Sequence, residues 1–162
     1  MKKTSLSLRP LSHGDDVALL AFYNDLSQTT IHTFHPLGLQ TSLEVCKEIV
    51  TENSTCPASR FDLVACDGND IIGWAFIAGL NTSHPDLGIA VADDWQGQGI
   101  GTALISRVIM NAKVRGLSTI YLMVVQDNHR AIKFYKRYGF RAYEQEFDEI
   151  DQLLYFHMVK DN

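Results

Sequence analysis

Three glycines alternate at positions 97, 99 and 101, where an apolar run gives way to an amphipathic one. The apolar run covers residues 87–91 and the amphipathic pattern begins at Ile100, so we expect a strand, a glycine turn and a helix start. The first backbone N–H groups of a helix lack internal partners, and the helix dipole adds about half a positive charge there. Glycine lets an anion approach that backbone closely. The pattern therefore predicts a phosphate-binding turn.

The spacing of these glycines distinguishes between classes of phosphate ligand. A dinucleotide-binding turn of the form G-x-G-x-x-G would need a glycine at Thr102 or Leu104. A P-loop ends in Gly-Lys-Ser/Thr, and no lysine occurs between Lys47 and Lys113. The absence of both motifs argues against a nucleotide-binding regulator. Titration with acetyl-CoA, NAD and ATP would distinguish that alternative from an acyl-CoA-binding protein.

A second block, DNHRAIKFYKRYGF at 127–140, follows the turn by the length of one helix and one strand. The first block, Gln96-x-x-Gly99-x-Gly101, resembles the acyl-CoA-binding motif of the GNAT family, the Gcn5-related N-acetyltransferases. The second is similar to that family's Asn-x-x-Ala-x-x-Phe-Tyr-x-x-x-Gly-Phe run, whose named positions are all filled here by Asn128, Ala131, Phe134, Tyr135, Gly139 and Phe140. The core of the resemblance spans 86–140, with a weaker echo at Leu8-Arg9-Pro10.

The resemblance implies acetyl-CoA as co-substrate and no metal. It implies that the strand before the turn and the strand after its helix splay apart, so that pantetheine pairs with the free backbone of the first. The acyl carbonyl would accept a backbone N–H near 89–91, which also steadies the oxyanion. The cofactor contacts implied are Ile89, Ala90, Val91, Ala92, Gln96, Gly97, Gln98, Gly99, Ile100, Gly101, Thr102, Asn128 and Tyr135.

The resemblance also implies two catalytic residues. Tyr135 stands where many members place the general acid for the departing thiolate, although its position also suits a packing residue beside Phe134 and Tyr138. Asp86 stands where many members carry a glutamate base, although a solvated strand-start carboxylate beside Pro85 would look the same. Three alternative bases stay open, namely His84, Glu144 and Glu146.

Several neighbouring residues have two interpretations. Asn128 can cap its helix, contact pantetheine, or do both. Phe34, His35 and Pro36 fall in a loop that walls the acceptor site in the family, but aromatic loops also serve as core. His157 has no partner in sequence and is expected to be structural. Asp93 and Asp94 would repel the pyrophosphate if they pointed inward, so we expect both carboxylates to face solvent.

Apolar periodicity and breakers place these residues on elements. Four helices are expected: one capped by Asp15 or Asp16, one opened by the capping-box spacing Thr41–Glu44 and running to about Glu52, one from Ile100 ended by Gly116, and one capped by Asp127 or Asn128 and running to Tyr138. Seven strands are expected at 5–9, 61–66, 71–80, 87–91, 120–125, 140–147 and 153–159, with a hairpin turn at 67–70 and loops or short broken helices over 27–40.

These elements predict an α/β (α+β) fold. The strand, helix, strand order around the glycine turn implies a parallel right-handed crossover. With the resemblance, we expect a single domain over 1–162 with a mixed sheet of about seven strands, about four helices and a splayed parallel pair at the cofactor cleft.

Composition restricts the class of protein. The chain has 162 residues, 46% hydrophobic and 20% charged, as in an ordinary globular domain. Net charge is −5 with a pI near 5.6, and no basic cluster occurs, which argues against nucleic acid and anionic membrane as partners. The acidic balance weakly favours a cationic acceptor.

Cysteine usage and apolar runs suggest a compartment. Cys46, Cys56 and Cys66 form no CxxC and are odd in number, so they predict thiols in a reducing cytoplasm rather than a disulfide framework. Met1-Lys2-Lys3 is followed by polar residues, unlike a signal peptide. No stretch approaches the roughly 18 apolar residues of a membrane-spanning helix.

The sequence thus predicts an acetyl-CoA-dependent N-acetyltransferase that acts on a primary amine of a small molecule, an amino-acid derivative, a peptide or a protein. The alternative is a non-catalytic acyl-CoA-binding module, and a homodimer stays open. The acceptor's identity is not encoded in any motif, and its determinants are expected in loops 27–40, 81–85 and 149–151.

Overall fold

Seven strands and five α-helices follow one another along residues 5–162, the part of the chain that this computed structural model describes. The strands are β1 (Leu6–Pro10), β2 (Arg60–Asp67), β3 (Asp70–Ala78), β4 (Asp86–Val91), β5 (Thr119–Val125), β6 (Arg141–Asp148) and β7 (Leu153–Asp161). The helices are α1 (Asp16–Asn24), α2 (Gln28–Thr33), α3 (Leu43–Ser54), α4 (Ile100–Val114) and α5 (His129–Arg137), with a 3₁₀ turn at Asp93–Trp95. Met1-Lys2-Lys3 lies outside the described residues.

All seven strands form one sheet in the order β1-β2-β3-β4-β5-β7-β6. Neighbouring strands are antiparallel except β4 and β5, which are parallel because α4 carries the chain across between them. The expected mixed sheet and the single parallel pair are therefore confirmed. The fifth helix, α2, forms in the segment expected to hold loops or short helices.

The two faces of the sheet are covered by different helices. Side chains alternate along each strand, so that on β3 Trp74 and Phe76 pack with α1–α3 while Ala75 and Ile77 pack with α4. The α4 and α5 side contains the apolar stripe predicted for α4, of which Ile109 is partly buried and the rest are buried, namely Ile100, Leu104, Ile105, Val108 and Ala112. A gap between β4 and β5 would therefore open both on the α4–α5 face and on the face of α1–α3.

The helix caps agree with the sequence in part. Asn128 caps α5 by accepting the N–H of Ala131 at 3.2 Å, and Gly116 follows α4 at a φ of 76°, both as expected. The capping box was predicted one residue early, because Ser42 rather than Thr41 accepts the N–H of Val45 at 3.3 Å. Asp15 occupies the N-cap position of α1, but its carboxylate makes no cap bond and binds Arg9 instead.

Within residues 5–162, no helix combines the length and apolarity needed to cross a membrane.

Candidate active site

The glycine turn after β4 forms an open cradle at the start of α4. Gly97 and Gly99 have φ of 74° and 85°, a region that favours glycine, and Gly99 is the N-cap of α4. The first backbone bond into the helix runs from the N–H of Ala103 to the carbonyl of Gly99 at 3.0 Å. The N–H groups of residues 100–102 precede that bond and can receive an anion.

Gly101 marks the space beside this cradle. A Cβ built there would meet only the ring edge of Phe134 and a methyl of Val91, both at 3.8 Å. The protein itself therefore leaves room for a side chain at this position. The same room lies between the end of β4, the start of α4 and helix α5, which is where a pyrophosphate followed by pantetheine would have to pass.

Arg130 on α5 supplies a cation near the cradle that the sequence analysis did not single out. Its Nη1 donates to Oε1 of Gln96 at 3.4 Å. The Nε2 of Gln96 donates to the carbonyl of Val91 at 3.0 Å, so this side chain links the cradle to β4. No local signal marks Arg130, because its partner lies 34 residues away.

Strands β4 and β5 splay, as the resemblance implied. They share one register pair, Asp86 with Tyr121, and the N–H of Tyr121 donates to the carbonyl of Pro85 at 2.9 Å. The N–H of Ala92 donates to the carbonyl of Ile72 on β3 at 2.8 Å. Because backbone groups of successive residues point to opposite edges of a strand, this bond shows which residues of β4 face β3 and which face β5.

It follows from this alternation that the backbone groups of Ile89 and Val91 point into the gap. Those of Ala90 and Ala92 point to β3 and are used in the sheet. Of the predicted contact residues at 89–92, three lie on β4 and Ala92 follows it. Ile89 and Val91 therefore offer an N–H to a ligand in the gap, and Ala90 and Ala92 can only contribute packing.

Tyr135 projects from α5 into the core beside the gap. Its side chain packs edge-on against Phe134 and Phe140, and the residue is only 8% exposed. Its hydroxyl makes no hydrogen bond within residues 5–162, and its oxygen is not a buried atom, so solvent or a ligand can reach it. Burial raises the pKa of Tyr135, so the phenol is protonated at neutral pH and can donate a proton.

Asn128 lies where β5 meets α5. Its Oδ1 is engaged in capping, and its backbone N–H donates to Val125 at 3.0 Å. The Nδ2 group makes no hydrogen bond with the described chain, so capping leaves this donor available. The predicted contact with pantetheine is compatible with the cap.

Asp86 begins β4 on the face opposite α4 and α5. Nε2 of His84 lies 3.5 Å from its Oδ1, and the His84 ring stacks on Tyr121 at a centroid distance of 3.7 Å. Burial raises the pKa of Asp86, while His84 and His157 partly offset the rise. The Asp86 side chain is 52% exposed, so solvent reaches the carboxylate and its role as a base stays a prediction.

The other candidate bases share that face. Glu144 is in register with His157, and Oε2 of Glu146 lies 2.6 Å from the His157 ring. Strand pairing thus brings His157 a carboxylate from 11 residues away, and the prediction that His157 is structural stays a prediction. His84, Asp86 and the β6 carboxylates consequently lie on one side of the gap, and Tyr135 lies on the other.

A short segment spans the gap on the face of Asp86. It consists of residues 27–35 and includes α2, and we call it the acceptor-side strap. At one end Asp93 binds Ser27 and Thr30, and at the other His35 lies 3.1 Å from Asp151 and 3.2 Å from the hydroxyl of Tyr155. Asp93 is exposed as expected, but its carboxylate is hydrogen-bonded rather than free. Two of the residues expected to wall the acceptor site lie in the strap. The ring centroid of Phe34 lies 6.0 Å from that of Trp74, and His35 makes the contacts with Asp151 and Tyr155.

Comparison with known proteins agrees with this geometry. The family model described as "Acetyltransferase (GNAT) family" matches residues 20–140. The chain belongs to the GNAT acetyltransferase family. The match includes both sequence blocks and the whole of the splayed pair, so the resemblance noted from the motifs is confirmed.

Individual GNAT relatives are similar over different shares of the chain. A mycothiol acetyltransferase of Renibacterium salmoninarum is 29% identical over 149 residues, which is 88% of this chain and 43% of that protein. An L-amino acid N-acetyltransferase of Escherichia coli is 39% identical over 83 residues, which is 48% of this chain and 51% of that protein. The chain thus spans about half or less of the length of these curated relatives.

Solved GNAT structures share the fold over nearly the whole chain. A GNAT acetyltransferase from Streptococcus pneumoniae superposes with a TM-score of 0.80 at 22% identity, covering 98% of this chain and 100% of that one. A spermidine N-acetyltransferase from Vibrio cholerae, solved with CoA and spermine, gives 0.78 at 21% identity, covering 95% and 94%. The predicted fold class is therefore confirmed.

Proposed function

We propose that the protein transfers an acetyl group from acetyl-CoA to a primary amine by direct attack on the thioester. The observation that carries the proposal is the accessible hydroxyl of Tyr135, which makes no hydrogen bond with the described chain although its ring is buried beside the open backbone edge of β4. A proton donor for a leaving thiolate needs a hydroxyl that is protonated and free to turn toward the sulfur.

Each part of the cleft suits one part of acetyl-CoA. Residues 96–102, with Arg130 nearby, would hold the pyrophosphate on unpaired N–H groups and one cation. The free N–H groups of Ile89 and Val91 would pair with pantetheine and with the acyl oxygen, where they stabilise developing negative charge. Asn128 would donate its Nδ2 to pantetheine.

The amine would enter from the face of Asp86 and the acceptor-side strap. Asp86 lies three residues before Ile89, roughly 10 Å along a strand, so it would take the amine's proton through water. Ionisation requires a pH above its raised pKa. Holding the two reactants together supplies much of the rate beyond these proton transfers.

The acceptor is a primary amine of a small molecule, an amino-acid derivative, a peptide or a protein. A screen of such amines that follows release of CoA, with the acetylated product confirmed by mass, tests the proposal. Acetyl-CoA binding without turnover of any amine would favour a non-catalytic acyl-CoA-binding module. Failure to bind acetyl-CoA at all would refute both.

Two further expectations belong to the proposal. A cytoplasmic location is consistent with Cys46, Cys56 and Cys66, none of which forms a disulfide. A homodimer stays a prediction, and light scattering coupled to size-exclusion chromatography at two protein concentrations checks it.

A further inference from the structure

The carboxylate of Asp93 connects the end of β4 to the acceptor-side strap. Its Oδ1 accepts the hydroxyls of Ser27 and Thr30, each at 2.7 Å, and its Oδ2 accepts the N–H of Ser27 at 3.0 Å. These bonds lower the pKa of Asp93 against the opposing effect of burial, so the carboxylate is ionised at neutral pH. Three bonds to one ionised group make this the most heavily bonded contact between the strap and the strands.

The same end of the strap contacts the cofactor cradle. Nε2 of Gln96 lies 3.4 Å from the Thr30 hydroxyl while it donates to the carbonyl of Val91 at 3.0 Å. Thr30 thus touches both Asp93 and the first residue of the cradle. A change in the position of the strap's first turn would be transmitted to the end of β4, and the reverse also holds.

The other end of the strap is fixed across the gap. Nδ1 of His35 donates to the carbonyl of Ile31 at 3.0 Å, and its Nε2 faces Asp151 and the Tyr155 hydroxyl. Tyr155 is in register with Val125, the last residue of β5. The strap therefore runs from the end of β4 to the end of β5, over the mouth of the gap that lies opposite Tyr135.

We propose that Asp93 is a positioning residue that holds the acceptor-side strap across this mouth and so sets where the acceptor amine sits relative to the thioester. The proposal rests on the proposed function, since it assigns the strap's face to the acceptor. Asp93 itself touches neither reactant. Its effect follows from proximity, because catalysis by alignment is lost when a wall of the site shifts by about 1 Å.

The neighbouring residue provides a matched control. Asp94 is the next residue in sequence, is exposed and carries the same charge. Its carboxylate makes no hydrogen bond in the described chain. Asp93→Ala and Asp94→Ala therefore remove the same charge, but only the first releases the strap. The strap helix keeps its own cap in both variants, because the Ser27 hydroxyl accepts the N–H of Thr30 at 3.2 Å.

The test combines amide hydrogen exchange with steady-state kinetics. Asp93→Ala should accelerate exchange in residues 28–35 and raise the acceptor KM about tenfold, with a smaller rise in the Kd for acetyl-CoA transmitted through Thr30 and Gln96. Asp94→Ala should change none of these. Thr30→Val removes one partner of Asp93 and should act in the same direction, and the double variant Asp93→Ala with Thr30→Val should be less than additive.

Two results would overturn the positioning role. One is unchanged exchange in 28–35 in Asp93→Ala, and the other is an equal effect of Asp94→Ala, which would assign the change to charge alone. A parent protein that acetylates no amine would instead refute the proposed function. The exchange comparison needs no turnover, so it would still show whether Asp93 fixes the strap.

Discussion

At the scale of single residues, the two proposed catalytic groups are distinguished by their environment rather than by their type. Tyr135 is notable because burial of its ring raises its pKa while its hydroxyl stays accessible and makes no hydrogen bond with the described chain. Asp86 is notable because burial raises its pKa beside a stacked histidine. The motif could identify both positions, but only the fold shows that they lie on opposite sides of the gap.

Removing the Tyr135 hydroxyl tests its role as the acid. Tyr135→Phe should keep the fold and the affinity for acetyl-CoA but lower kcat about 10²-fold, because the thiolate would leave without a proton. Tyr138→Phe removes the same hydroxyl from the C-cap of α5, where the ring centroid lies 5.2 Å from that of Phe134, and it should leave kcat unchanged. Equal kcat for Tyr135→Phe and the parent at every pH would leave Tyr135 as a packing residue.

Neutralising Asp86 tests the base. Asp86→Asn should lower kcat/KM roughly 10²-fold near neutral pH, and the loss should shrink as pH rises because more amine arrives unprotonated. In the parent, kcat/KM should fall as pH falls through the raised pKa of Asp86, where the carboxylate becomes protonated. A pH series of kcat/KM for parent and variant measures both.

Glu146→Gln is the matched comparison for Asp86, since Glu146 lies on the same face and already pairs with His157 at 2.6 Å. A large loss in Glu146→Gln without one in Asp86→Asn would move the base to β6. A loss in Asp86→Asn that persists at every pH together with a raised acceptor KM would make Asp86 an ammonium-binding residue.

At the scale of elements, the sequence predicts the helices and strands well but not the side-chain hydrogen bonds that connect them. Periodicity identified α4 because five buried apolar residues repeat at helical spacing, and it identified the β2–β3 hairpin from Gly68 and Asn69. The tie between Asp93 and Ser27 could not be predicted, because its partners are 66 residues apart and neither has a local signal. The capping-box spacing of Thr41 with Glu44 predicted the wrong cap, since Ser42 is the N-cap of α3.

The link between β1 and α1 gives a prediction about stability. The guanidinium of Arg9 donates two hydrogen bonds to the carboxylate of Asp15, at 2.6 Å and 2.8 Å. This contact lowers the pKa of Asp15, although burial acts to raise it. A lowered pKa in the folded state means that the contribution to stability is present above the unfolded value of about 3.9 and is lost as pH falls through the folded one.

Asp15→Asn should therefore lower the free energy of unfolding by about 2 kcal/mol at pH 7, and the difference from the parent should close at strongly acidic pH. Urea unfolding at both pH values measures it, with Asp16→Asn on the same turn as the control. A difference that persists unchanged in acid would show that the Asp15 charge is not the source.

At the scale of the whole molecule, the site exists because one sheet is interrupted between β4 and β5. The two strands share a single register pair, and helices cover the two faces separately, so the gap opens on both. The sequence predicted a parallel pair from the order of elements, but the splay came only from the family resemblance. No pattern in 87–91 or 120–125 distinguishes a splayed strand from a paired one, because both are apolar on both faces.

The buried carboxylate of Asp62 contributes to the stability of the sheet away from the gap. It is fully buried, with Arg60 at 2.6 Å and the indole N–H of Trp74 at 2.9 Å. Asp62→Ala should lower the free energy of unfolding by roughly 3–5 kcal/mol, because it leaves a buried cation and a buried donor unpaired. Thermal unfolding measures this loss, and a variant as stable as the parent would show that the two groups find other partners.

Acetyl-CoA is expected to lie on the glycine cradle with its chain in the gap, and calorimetric titration of acetyl-CoA measures binding at this place. Gly101→Val should fold, since a Cβ there meets nothing nearer than 3.8 Å, yet it should fill the space beside the cradle. Ser106→Val places the same branched residue at an exposed position of α4 and serves as the control. We expect the parent and Ser106→Val to bind acetyl-CoA with equal Kd, and Gly101→Val to bind at least about tenfold more weakly. A folded Gly101→Val with the parent's Kd, or a parent that does not bind acetyl-CoA, would contradict the account.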